Sequence, residues 1–81
     1  PAPDNTEEAA LLGDFQDTLE KALEELPVQY RSALLLRYLD DLSYDEIANT
    51  LGQPLGTVKN SIFRARRLLK TKLQSCGYLE V

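Results

Sequence analysis

The 81-residue chain contains no histidine, no methionine, no tryptophan and a single cysteine, Cys76. Without histidine, neither Ser–His nor Cys–His nucleophilic catalysis can be assembled. Structural zinc needs about four Cys, His or carboxylate ligands at set spacings. This sequence does not supply them, so no metal and no cofactor is expected. A lone cysteine forms no internal disulfide, and nothing points to an oxidising compartment. Apolar runs do not exceed four residues, as in Ala33 to Leu36, against the roughly 20 that a membrane span needs. No membrane partner is expected, and no secretory signal is visible. The missing methionine, with Pro1 first, is expected of a piece of a longer protein. Asp40 and Asp41 are the nearest thing to a carboxylate pair, but neighbours at a helix end do not converge on one substrate. The expectation is a protein that is not an enzyme.

What is present is charge, unevenly placed. The net charge of −4 taken alone speaks against a nucleic-acid partner. Residues 1–50 carry Lys21, Arg31 and Arg37 against twelve acids, a net of −9. Residues 51–81 carry Lys59, Arg64, Arg66, Arg67, Lys70 and Lys72 against Glu80 alone, a net of +5. All six late bases fall within 59–72 with no acid among them. Such asymmetry between halves points to function.

Residues 1–5 read as a linker end, and four helices follow. The first spans about Thr6 to Glu25, with Thr6 as N-cap and Glu7 and Glu8 at its positive end. Leu11, Leu12, Phe15, Leu19, Ala22, Leu23 and Leu26 make its apolar stripe. Pro27 suits the first position of a second helix reaching about Leu39, with Leu34, Leu35, Tyr38 and Leu39 as its buried face. Arg31 is expected in a surface ion pair with nearby acids. Ser43-Tyr44-Asp45-Glu46 fits a capping box, opening a short third helix from Tyr44 to Leu51. Gly52 then suits a left-handed terminus. The fourth helix starts between Pro54 and Thr57 and reaches about Gln74. Gly77 ends it, the domain is read as residues 6–76, and 77–81 are read as a tail.

Residues 43–72 fit a helix-turn-helix, with a plain helical hairpin as the alternative. Ala48 is the small residue that allows close crossing. Gly52 tolerates positive φ in the turn, and Val58 anchors the second helix, with Ile47, Leu51 and Ile62 completing the shared core. Unrolled at roughly 100° per residue, the fourth helix places Val58, Ile62, Ala65, Leu69 and Leu73 on one face. Asn60, Phe63, Arg64, Arg67 and Thr71 fall opposite, flanked by Lys59, Arg66 and Lys70. Arg and Lys can reach guanine acceptors or phosphates, Asn can pair with adenine, and Phe can touch a thymine methyl. A basic face is usually just solvated; an exposed Phe63 inside it argues for recognition.

Leu26-Pro27, Leu34 to Leu39, Leu42 to Ala48, Gly52, Pro54 to Lys59 and Arg64-Ala65-Arg66 resemble region four of the bacterial RNA polymerase sigma factors, extracytoplasmic-function group. The resemblance covers about residues 19–74. It implies an all-α, four-helix domain with a C-terminal helix-turn-helix and no wing, binding the −35 promoter element through its last helix. It further implies docking on the flap of the polymerase β subunit, an anti-sigma factor as partner, and a bacterial cytoplasmic, nucleoid-associated location. Carried onto matching positions, base contacts fall to Lys59, Asn60, Phe63 and Arg64, and DNA backbone contacts to Arg37, Tyr44, Thr57, Ser61 and Arg67. Asn60 stands where the family usually has Ser, and Ser61 where it usually has Arg. The alternatives are the C-terminal effector domain of a two-component or quorum-sensing regulator, and a helical module that binds a partner protein.

Overall fold

The computed structural model describes residues 6–78, with side chains described from residue 10. The expected linker end, residues 1–5, lies outside the described residues. Four helices follow in the expected order: α1 (Thr6–Glu25), α2 (Val28–Tyr38), α3 (Tyr44–Leu51) and α4 (Leu55–Ser75). Among the described residues there is no strand, hence no wing.

Pro27 is the residue before α2 rather than its first, with extended backbone (φ −52°, ψ 144°). Its carbonyl accepts from both Tyr30 and Arg31, so Pro27 closes the first turn without contributing an N–H. At the far end Asp41 adopts φ 57°, a left-handed conformation that Asp tolerates better than most residues. The α2–α3 corner follows from it, tied by a bond from the Leu42 N–H to the Leu36 carbonyl.

The α3 start is the expected capping box. The Glu46 N–H donates to Ser43 Oγ at 3.1 Å, and the Ser43 N–H donates to Glu46 Oε1 at 2.8 Å. Hydrogen bonding to the Glu46 carboxyl, from the Ser43 N–H first and the Ser43 side chain second, holds it below its ordinary value of 4.5. Gly52 ends α3 at φ 66°, ψ 37°, and its N–H and that of Gln53 both return to the Ala48 carbonyl.

At the end of α4 the Gly77 N–H bonds to the Gln74 carbonyl and the Tyr78 N–H to the Leu73 carbonyl, each at 3.0 Å. With Gly77 at φ 86° this is a Schellman terminus. Gly77 and Tyr78, the first two residues of the expected tail, thus form the helix terminus, and the Tyr78 ring meets Phe15 of α1 edge-on at 5.2 Å; residues 79–81 of that tail lie outside the described residues.

The core is one cluster: Leu26, Ala33, Leu34, Ile47, Val58, Ile62 and Ala65. Ala33 and Ala65 are fully buried, on the two helices that share the most extensive interface. Small residues let two backbones approach, and Ala33 and Ala65 both belong to the core cluster. Two parts of the expected packing differ. Leu11 and Leu12 are 64% and 59% exposed, because the described contacts of α1 are made mainly through its second half, against α4. Tyr38 and Leu39 are 56% and 75% exposed; the inward face of α2 runs instead through Ala33 and Leu34, with Tyr30 and Leu36 beside them.

Candidate nucleic-acid interface

The helix-turn-helix core is assembled as its spacing implied. Ile47 and Val58 are wholly inaccessible and Ile62 nearly so, with Ala48 and Leu51 packed against them. These contacts fix the roll of α4. With one face buried, the residues about 180° away must face water.

That outward face forms a defined strip. Asn60, Phe63, Arg64, Arg67 and Thr71 line one shallow hollow, closed on its flank by Tyr30 of α2 and by Leu68. The sequence pattern had grouped the first five; Tyr30 is brought there only by the α2–α4 crossing. Within the strip, Arg64 Nε donates to Asn60 Oδ1 at 3.3 Å. The Arg67 guanidinium lies 5.6 Å from the centre of the Phe63 ring. Phe63 is 58% exposed, yet its face is not left to water, since the guanidinium takes one side. Thr71 returns its hydroxyl to the Arg67 carbonyl at 3.0 Å. Lys59 and Thr57 are exposed at the start of the helix, where Pro54 supplies no side-chain cap.

Ser61 does not join this surface. It is 4% exposed, the one buried polar residue among those described. Its position between Val58 and Ile62 puts it on the packing side of α4. The expectation that Ser61 touches a DNA backbone is therefore corrected by burial.

Arg37 is held at the α2–α3 corner. It donates to the Leu42 carbonyl at 3.2 Å and sits 3.9 Å from Asp41. It also stacks over Tyr44 at 5.5 Å and Tyr38 at 5.9 Å. Arg66 approaches Tyr38 as well, at 5.8 Å, so Tyr38 lies between two cations. Its apparent place in the apolar stripe of α2 concealed that role. Arg31 makes a different contact from the expected ion pair. Its guanidinium donates to the Glu24 carbonyl at 3.0 Å, tying the start of α2 to the end of α1. Lys72 is withdrawn from the basic face by pairing with Glu25 of α1.

A second concavity lies on another side of α4. Leu19, Leu23, Leu34, Leu35, Tyr38, Leu39, Leu69 and Leu73 line an open apolar groove of about 600 Å³, with Arg66 and Lys70 at its rim. The exposed Leu39 and Tyr38 belong to this groove.

The family model described as sigma-70, region 4, matches residues 16–69. The ECF RNA polymerase sigma-E factors of Escherichia coli strain K12 and Salmonella typhimurium strain LT2 are 41% identical over 70 residues, covering 86% of this chain and 37% of each relative. The RNA polymerase sigma-H factor of Pseudomonas aeruginosa is 38% identical over 71 residues, covering 88% of this chain and 37% of that protein. The chain thus spans well under half the length of the curated relatives it matches. The matched span runs from the middle of α1 to Leu69 within α4 and takes in α3, the turn and the helix-turn-helix core from Ile47 to Ile62, which disfavours the response-regulator alternative. The chain belongs to the sigma-70 region 4 family.

Proposed function

We propose that this domain reads the −35 element of a promoter in duplex DNA and docks on RNA polymerase, as part of an alternative sigma factor that directs transcription initiation. The observation that carries the reading is the α4 strip: an amide, two guanidiniums and an aromatic ring on the exposed side of a helix whose other side is locked into a helix-turn-helix core. Side chains of these types match the acceptor-rich major-groove edges of base pairs. Lys59, Asn60, Phe63 and Arg64, in the first half of α4, are the base-reading set. Thr57 at the uncapped first turn, Tyr44, Arg37 and Arg67 are the phosphate-contacting set. Phosphates favour a helix N-terminus with free amides. Arg37 commits one N–H to the Leu42 carbonyl and has further guanidinium donors for this contact.

The leucine groove supports docking on polymerase, at the flap of the β subunit, through an apolar surface with a cationic rim. An anti-sigma factor covering this or the α4 surface completes the proposed set of partners. The site of action is the bacterial cytoplasm, at the nucleoid; no described helix is long and apolar enough to cross a membrane.

Salt-dependent binding of duplex DNA tests the proposal. Arg64→Ala should weaken selective binding by about 1–3 kcal/mol and relax preference at one base step. Unchanged binding to every sequence would remove α4 as a reading helix.

A further inference from the structure

The bond between Asn60 and Arg64 alters what Asn60 can read. A free asparagine carboxamide offers one acceptor oxygen and two donors. It recognises adenine by using both, accepting from the N6 amino group while donating to N7. Here Oδ1 already accepts from Arg64 Nε at 3.3 Å, and the two residues are one helical turn apart on an exposed face, where such pairs meet. An incoming adenine amino group would have to share that oxygen with a guanidinium, setting donor hydrogens against a cation. Among the described residues, nothing bonds to the carboxamide NH₂ or to the two terminal NH₂ groups of Arg64. Oδ1 keeps one lone pair, but it lies beside a guanidinium, so the pair of residues presents mainly donors to a base edge.

We propose that Asn60 and Arg64 act as one donor unit that selects keto bases, guanine or thymine, over adenine at the step Asn60 reads, with guanine favoured at the Arg64 step. Guanine presents O6 and N7 as adjacent acceptors, and thymine presents O4. The inference rests on the promoter-reading proposal and deepens it: Asn60 becomes a specificity residue whose preference is set by its neighbour, not by its own chemistry.

The test is selection from a randomised duplex library by the full chain at low salt, where weak binding is strengthened. The wild type is compared with Asn60→Ala and Arg64→Ala. Both side chains are exposed, and circular dichroism checks that each variant keeps its helices. The base step whose preference Asn60→Ala abolishes is the Asn60 step. There the wild type should prefer a keto base over adenine by about fivefold or more, the low end of what one good base contact discriminates. Arg64→Ala should shift that same step toward adenine, because the carboxamide oxygen is released. Adenine preferred by the wild type, no shift in Arg64→Ala, or no Asn60-dependent step among otherwise selected sequences would each overturn the inference. If no sequence is selected at all, the promoter-reading proposal itself fails, which is a distinct result.

Discussion

Position 61 shows how much the roll of a helix decides. Ser61 and Asn60 are neighbours in sequence, but successive residues on a helix point about 100° apart. Asn60 therefore reaches the outer strip and Ser61 the interior. Ser61→Ala should leave DNA affinity within about twofold of wild type, as titration of a labelled duplex would show. A loss of tenfold or more would mean that the hydroxyl leaves the core to reach DNA. Ile47 is the opposite kind of residue, wholly buried beside Val58 and Ile62. Ile47→Ala should cost about 2–5 kcal/mol, the usual range for truncating a core aliphatic. In a chain this small that is a large part of total stability, so denaturant titration should find a much lower midpoint.

At the scale of elements, α3 and its turn are specified locally. An eight-residue helix is too short to persist alone in water, so its ends carry much of the definition. Gly52 has open space around the position a Cβ would take, but its φ is +66°. Gly52→Ala should therefore cost only the backbone strain of a left-handed residue, about 1–2 kcal/mol, with no crowding added; thermal unfolding measures it. The capping box makes the other end sensitive to pH. Because Glu46 is held below 4.5 in the folded chain, its contribution is complete above that value and is lost as pH falls through the lowered one. Glu46→Gln keeps a side-chain acceptor but does not titrate. The stability advantage of wild type over Glu46→Gln should therefore be present above about pH 5 and shrink as the solution is acidified below the ordinary carboxylate range. An advantage that stays constant across that range would show that the carboxylate bond is not formed.

For the molecule as a whole, the −9 and +5 halves bear on how it approaches DNA. The acids of the first half repel a phosphate backbone, which favours approach with α4 leading. The six bases of α4 do not all serve that end. Lys72 pairs with Glu25, while Arg66 and Lys70 border the leucine groove. The dependence of log affinity on log salt should therefore be shallower than six phosphate contacts would give, at roughly 0.9 per phosphate neutralised. Lys72→Ala should leave the slope unchanged, whereas Arg67→Ala should lower it by about one. A drop in slope from Lys72→Ala would place that lysine on DNA instead of on α1.

Much of this was legible without coordinates. The Ser43–Glu46 box and the Gly52 terminus are local consequences of side-chain chemistry within one or two helical turns, and that Val58, Ile62, Ala65 and Leu73 share one face follows from helical spacing alone. The grouping of Asn60, Phe63, Arg64, Arg67 and Thr71 was legible for the same reason. What needed tertiary structure depends on how helices cross. Tyr38 and Leu39 have the period of a buried face, yet α2 buries Ala33 and Leu34 and leaves those larger residues on an open groove. Tyr30 borders the α4 strip, Arg37 braces a corner, and Lys72 is taken by α1, because residues distant in the chain meet there. Periodicity says which residues share a face; only the packing of one helix on another decides which face is covered, and which charges remain free to meet a partner.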